Sequence, residues 1–340
     1  MDYKSSGVDL HAGENVKTRI TKILGRTYTD SVLTKGGEFA GVVKLDQSDV
    51  SIAVSIDGVG TKLKVAIMAQ QHNTVGEDLV NHCINDIAVI GAEPLCFVDY
   101  ISIGKLNDQV ILEIIDGLAR GCRLNGIPLV GGETAQMPGL YQEGEYDLAG
   151  AIVGSVVEKD QLPRESMAKG DVLVGIQSNG LHTNGYSLVR RIVFEVNNWN
   201  IDTYNSELGH TWGDELLRVH ASYLKLIKKY RSNSELKGFA HITGGGIPGN
   251  LSRILSDDYT AVIQRENIPV EPVYSILQSA GNIPQDEMFD VFNMGVGLIA
   301  VCSEKLAEEI ISDGDIDNHK WLLGEITSRS DDEGKVKLNY

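Results

Sequence analysis

Four short segments end an apolar run in a glycine cluster that carries ionisable or amide side chains. They are Asp57-Gly58-Val59-Gly60-Thr61-Lys62, Gly131-Gly132-Glu133-Thr134, Ser178-Asn179-Gly180-Leu181-His182-Thr183-Asn184-Gly185 and His241-Ile242-Thr243-Gly244-Gly245-Gly246. Glycine admits positive φ and lets the backbone approach a ligand closely. Successive N–H groups pointing one way form an anion nest, and a helix that starts there adds its dipole. A single cluster of this kind is more often a plain turn. Four in one chain, each with a carboxylate, lysine or histidine inside it, point to anionic ligands. None of them is a GxxxxGK[ST] phosphate loop.

Carboxylates are the second ingredient. Asp57 stands where a strand ends, Asp86 lies beside Asn85 on a helix among Ile84, Ile87 and Ala88, and Glu133 follows a double glycine. Magnesium takes a few carboxylates together with water and phosphate oxygens, so Asp57, Asp86 and Glu133 are its natural ligands. These residues lie far apart in the chain, and only the fold can bring them together. Taken by themselves they indicate anionic, phosphorylated ligands bound with a divalent metal.

The elements that must position them follow from periodicity and punctuation. A short helix is expected at 16–24. A strand at 50–56 ends at Asp57, with a helix at 64–70 after it. A longer helix covers 75–90, with Val75, Leu79, Cys83, Ile87 and Ile90 on one stripe and Gly91 at its end. Strands are expected at 95–103, 127–130 and 148–157, and an amphipathic helix at 109–124. Apolar periodicity lapses at 158–170, which divides the chain into domains 1–165 and 170–340. The second half restarts with a strand at 172–177, helices at 185–195 and 214–230, and strands at 239–243, 260–264, 296–302 and 321–326. Neither half shows a βαβ alternation with GxGxxG, so an α+β fold of two domains is expected and a Rossmann fold is not.

Composition bounds the partners. The 340 residues carry a formal net charge of −17, which repels nucleic acid and anionic membrane surfaces. Apolar residues at 42% and charged residues at 23% describe a soluble globular protein. The four cysteines form no CxxC pair and read as buried, reduced thiols. Residues 1–10 lack the apolar stretch of a signal peptide, and no apolar run is long enough to span a bilayer, so a cytoplasmic location is expected.

The same segments resemble the phosphoribosylformylglycinamidine cyclo-ligase (aminoimidazole ribonucleotide synthetase) family. The resemblance runs over nearly the whole chain. It includes Tyr3-Lys4, Gly7-Val8-Asp9, Ala12-Gly13, DGVGTKL at 57–63, Asn85-Asp86, GAEPL at 91–95, Asp99-Tyr100 and LVGGETAQMPG at 129–139. In the second half it includes HTNGYSLVR at 182–190, HITGGG at 241–246 and FNMGVG at 292–297. The chain departs from the commoner pattern at Gln136, at Leu181-His182-Thr183 and at Met294, and the last argues against any scheme that needs a thiol there.

The resemblance implies two α+β domains, dimers joined through the N-terminal sheets, and a cleft near that interface. It implies ATP-dependent closure of formylglycinamidine ribonucleotide to aminoimidazole ribonucleotide, with Mg2+. Asp57 and Asp86 are then assigned to metal and ATP phosphates, with Gly58, Gly60 and Thr61 beside them, and Lys62 to a phosphate oxygen. Glu133 either ligates metal or orients the amidine. Asn179, Gly180 and Asn184, and Gly244, Gly245 and Gly246, cradle phosphate of ATP or of the ribose. His182 and His241 carry protons. The competing readings are another ATP-dependent kinase or synthetase of the same superfamily and a non-catalytic nucleotide-binding subunit.

Overall fold

The computed structural model of the chain describes residues 1–34, 37–46, 48–157, 166–330 and 333–339. It has two sheets, one in each half. The N-terminal sheet comprises β1 (Gly41–Lys44), β2 (Val50–Gly58), β3 (Glu93–Ile103), β4 (Leu129–Gln136) and β5 (Tyr146–Val157), in the order β1-β2-β5-β3-β4. All neighbours are antiparallel except the β3–β4 pair, which is parallel. In the second half, β6 (Val172–Gln177), β9 (Leu236–His241), β10 (Tyr259–Gln264), β11 (Val296–Cys302), β12 (Lys320–Ser328) and β13 (Val336–Asn339) form a mixed sheet in the order β13-β10-β12-β6-β11-β9. A small hairpin joins β7 (Tyr204–Asn205) and β8 (His210–Thr211). The expected α+β class, with a sheet and helices in each half, is the observed one.

The N-terminal helices are α1 (Leu10–Leu24), α2 (Lys62–Ala69), α3 (Asn73–Ala88) and α4 (Asp108–Leu124). Asp9 starts α1 by accepting the Ala12 N–H, and Asn107 starts α4 in the same way. Helices α3 and α4 cover one face of the N-terminal sheet, burying Ala53, Phe97, Ile101, Leu148 and Ile152. The two helices cross closely at Gly76 and Gly117. A Cβ at Gly76 would lie 2.4 Å from the Ile114 carbonyl oxygen, and one at Gly117 would lie 2.2 Å from that of Asn73. Only glycine fits at either position.

Three expectations are corrected. First, the strand expected at 127–130 runs on to Gln136, so Gly131-Gly132-Glu133-Thr134 is not a loop. Parallel pairing of residues 131–136 with β3 keeps the backbone extended. Second, the helix expected at 214–230 is two short helices, Trp212–Leu216 and Leu224–Tyr230, separated by an extended link. The link's backbone groups are taken by side chains of the other half, as described below. Third, the helix expected at 185–195 is α-helical only over Tyr186–Arg190 and continues as a π-helix over Arg191–Val196. The expected domain boundary lies largely outside the described residues, at 158–165.

Candidate active site between the two halves

Helix α3 organises the site. Nearly all of its 16 residues are buried, yet Asp78, Asn81, His82, Asn85 and Asp86 are polar. Spacings of three and four place these five side chains along one helix face. That face meets the second half. The Asp78 carboxylate accepts the His220 N–H (2.7 Å), Asn81 donates to the His220 carbonyl (2.8 Å), and Asn85 donates to the Ala221 carbonyl (2.9 Å) while accepting the Tyr223 N–H (2.9 Å). Lys62 donates to the Arg218 carbonyl (2.6 Å), and Asn179 to that of Val219 (2.8 Å). Residues 218–223 thus spend their backbone groups on side chains and have few left for helical bonds.

Four histidines meet along this seam, His82 on α3 and His182, His220 and His241 from the second half. The Asp86 carboxylate accepts from His241 Nδ1 (2.8 Å), which leaves His241 Nε2 as an acceptor for His220 Nε2–H (3.0 Å). Thr183 Oγ1 lies 3.4 Å from His220 Nδ1 and 3.0 Å from His82 Nδ1. His82 Nε2 pairs with the Asp57 carboxylate at 2.9 Å. The His182 ring stacks on that of His220, with centroids 3.9 Å apart. Its Nε2 accepts the Asn179 N–H (3.0 Å), which places the ring proton on Nδ1, where it meets no partner.

Burial sets the charges. Burial opposes a proton on His82, but the Asp57 carboxylate, with Asp86 and Asp78 behind it, outweighs this and pushes its pKa up to about 9. For Asp57, burial works upward, and the His82 cation and the Gly58 N–H bring the carboxyl below its usual range. Burial dominates at His182 and His220, whose pKa values fall well below the ordinary imidazole range. Burial also lowers His241, against the pull of Asp86. The seam therefore holds one imidazolium, His82, and three neutral imidazoles.

A cavity of about 310 Å³ opens beside this seam. Residues 57–61 of the first half face residues 183–187 of the second across it, with Tyr3, Val8 and His82 completing the lining. Thr61 and Ser187 meet across the opening through their hydroxyls at 3.1 Å. Gly60 and Gly185 have positive φ, and no atom lies within 4 Å of the place a Cβ on Gly60 would take. The Gly60 backbone is thus open on its cavity side to a ligand.

The chain matches the N-terminal domain model of AIR synthase related proteins over residues 37–156 and the C-terminal domain model over residues 168–337. It is 41% identical over 340 residues to a phosphoribosylformylglycinamidine cyclo-ligase of Thermoanaerobacter pseudethanolicus, covering 99% of this chain and 100% of that one. The chain belongs to the phosphoribosylformylglycinamidine cyclo-ligase family. It is also 43% identical over 329 residues to the cyclo-ligase of Geobacillus thermodenitrificans, with 95% of each chain covered. Among solved structures, the hydrogenase maturation protein HypE in complex with ATP has a similar fold. The TM-score is 0.62 at 17% identity, over 87% of this chain and 83% of that one.

The cyclo-ligase motifs do not all reach the cavity. Asp57, Gly58, Gly60, Thr61 and Asn184 line it, and His182 flanks it through Thr183. Asp86 and His241 sit one layer deeper, beside His82. Asn179 and Gly180 are engaged within the protein: the Asn179 side chain binds Val219 and Arg218, and the Gly180 carbonyl accepts from Ser178, Tyr274 and Asn293. Gly244 approaches the Asn184 amide, and Gly245 and Gly246 turn the chain into the short helix Gly246–Leu251.

Two assignments from sequence change. Lys62 is fully buried, and its ammonium is taken up by Asp78 (2.8 Å), the Arg218 carbonyl and the His182 carbonyl (3.3 Å). Three donors meet three protein acceptors, so none is left for a phosphate oxygen. Glu133 cannot share a metal with Asp57 inside one chain. Strand register aligns Asp57, Gly150, Asp99 and Gly132 in one row, and Gly58, Ala149, Tyr100 and Glu133 in the next. The two carboxylates therefore point to opposite faces, about three strand spacings or 14 Å apart. Asp78, His82 and His220 were not singled out from sequence, and Thr183 was named only as part of its glycine segment. The ladder of polar residues at 78, 82 and 86 on an apolar helix is the signal that points to the first two.

Proposed function

We propose that this chain closes the imidazole ring of aminoimidazole ribonucleotide, using ATP and formylglycinamidine ribonucleotide, in purine biosynthesis. The observation that carries this reading is the match to named cyclo-ligases along the entire chain, 41% over 340 residues. The glycine motifs of the two halves facing one another across one cavity support it. An amide oxygen is a poor leaving group. Transfer of the γ-phosphoryl group to the formamide oxygen makes it a good one, and the amidine nitrogen of the same molecule then displaces phosphate as the ring forms. The second step is intramolecular, so holding the substrate in its ring-closing conformer supplies much of the acceleration.

Asp57 and Asp86 are the residues that would hold Mg2+. Asp57 uses its oxygens on the Gly58 N–H and His82, and Asp86 uses one on His241, so both keep lone pairs for a hard cation. Bound Mg2+ supplies charge neutralisation along the phosphoryl path. The backbone at Gly58 and Gly60 receives phosphate oxygens, with Thr61 and Asn184 at the opposite walls. His241, neutral and oriented by Asp86, accepts the His220 N–H at Nε2 and links Asp86 to His220, while His182 holds the 178–185 loop against His220. The N-terminal half carries nucleotide, metal and the contacts of a homodimer, and the C-terminal half closes the cleft.

The outer face of the N-terminal sheet supports the dimer, because Val54, Ile56, Val98 and Tyr100 stand 42%, 72%, 36% and 40% exposed side by side. Glu133 projects from this face and works at the seam with a second copy. The free thiols Cys83, Cys96, Cys122 and Cys302 fit a reducing cytoplasm. Among the described residues no helix is long and apolar enough to cross a membrane.

The test is one assay that follows phosphate and aminoimidazole together, with protein, formylglycinamidine ribonucleotide, ATP and Mg2+. Equal yields of the two, lost without Mg2+, are expected. Phosphate retained on an organic product would make the protein a kinase, and phosphate release without imidazole would place it on another substrate.

A further inference from the structure

Helix α3 presents His82 and Asp86 four residues apart, on one face, towards His241 at the end of β9. One ligand atom from each of these three buried residues lies within 4.8 Å of the others. Two imidazoles and one carboxylate are the donor set of many divalent transition-metal sites, and i, i+4 spacing on a helix is a common way to supply two of them. Ligand atoms on a tetrahedral ion with bonds of 2.0–2.1 Å are about 3.3 Å apart, so the three atoms reach bonding geometry by closing up by at most about 1.5 Å. His241 Nδ1 and Asp86 already stand 2.8 Å apart. His82 lines the cavity beside Asp57, which provides a route of entry, and the ion takes the place of the His82 imidazolium proton, which is released to solvent.

We propose that His82, Asp86 and His241 form a binding site for a divalent transition-metal ion of the zinc and cobalt class, joining the two halves of the chain. Nitrogen donors distinguish it from a Mg2+ site, because Mg2+ takes oxygen ligands. Asp86 is common to both, so the two ions exclude one another there. The other trio of buried histidines, His182, His220 and His241, is a poorer set. The His182 and His220 rings are stacked at 3.9 Å with 22° between their planes, so their lone pairs run side by side and do not converge.

The site is tested with Co2+ and Zn2+ alone, on the full chain without nucleotide. Co2+ is expected to bind with one-to-one stoichiometry and to give the intense visible absorption of a four- or five-coordinate ion. Zn2+ should displace it stoichiometrically, whereas a hundredfold excess of Mg2+ should not. His82→Gln should weaken Co2+ binding at least tenfold, and His210→Gln, at the exposed His210–Glu215 pair, should leave it unchanged. Should His82→Gln fail to fold, proton NMR of the wild-type Co2+ complex decides. Two hyperfine-shifted exchangeable imidazole signals are expected from His82 and His241. A weak, six-coordinate spectrum, no shifted imidazole signals, or binding lost in His210→Gln and kept in His82→Gln would overturn the proposal.

Discussion

The two sheets of this protein are finished to different degrees. In the C-terminal sheet, β11 is buried at all seven positions, and its neighbours β6 and β9 are buried almost throughout. In the N-terminal sheet, α3 and α4 seal one face, while the other presents Val54, Ile56, Val98 and Tyr100 to solvent. The β6, β11 and β9 strands of one sheet complete their core within the chain, and the other sheet leaves a face for something else to cover. The contrast also divides the chemistry. Asp57 points to the sealed face and to the seam between the halves, and Glu133 points to the open one.

The same substitution in both sheets would break this comparison most directly. Ile299→Asp places an unpaired charge in a fully buried strand and should cost more than about 4 kcal/mol, leaving little folded protein by circular dichroism. A folded Ile299→Asp protein would mean that the C-terminal sheet is not the closed core described. Asp57→Asn on the sealed face should keep the fold and lower turnover by about 10³-fold or more, since it removes a carboxylate from the phosphoryl path. Near-normal turnover would remove Asp57 from the site.

Lys62→Met sharpens the contrast at the seam. It strands the Asp78 carboxylate, which is fully buried, and should cost about 3–5 kcal/mol in urea unfolding. A loss confined to nucleotide affinity would restore Lys62 to a phosphate. His82 sets a pH dependence with a definite sign. Its folded pKa of about 9 lies above the ordinary 6.5, so its contribution is complete below about pH 6.5 and disappears as pH rises through 9. Stability should fall over that interval by on the order of 1–3 kcal/mol, and His82→Gln should flatten the slope. Ile56→Asp, on the open face, should change the stability of the subunit least, by about 0.5 kcal/mol. Its effect should instead appear in sedimentation as loss of the proposed dimer, and a dimer kept by the variant would move the interface elsewhere.

Much of the site was legible in the residues, because glycine clusters and carboxylates report local requirements. Gly60 and Gly185 do adopt positive φ, and Asp57 does end a strand at the cavity. Asp86 on an apolar helix was conspicuous because a buried carboxylate needs a partner, and the partner is His241. His220 was not legible, since residues 214–230 carry a helical apolar period. The helix breaks because Asp78, Asn81 and Asn85, about 140 residues away, take the backbone groups it would have used. Strand β4 was misread for a related reason. Gly131 and Gly132 look like a turn locally, and parallel pairing with β3 keeps them extended.

The sequence by itself determined the α+β class, the glycine motifs and the family, since each depends on residues close together or on matches along the chain. Tertiary structure decided which motif residues meet. Register across three strands put Glu133 and Asp57 on opposite faces of one sheet, because successive side chains of a strand alternate. Packing of the halves turned Lys62 from a phosphate ligand into a buried tether and gathered His82, His182, His220 and His241 into one cluster. Those outcomes depend on contacts between residues far apart in the chain, which neither spacing nor propensity encodes.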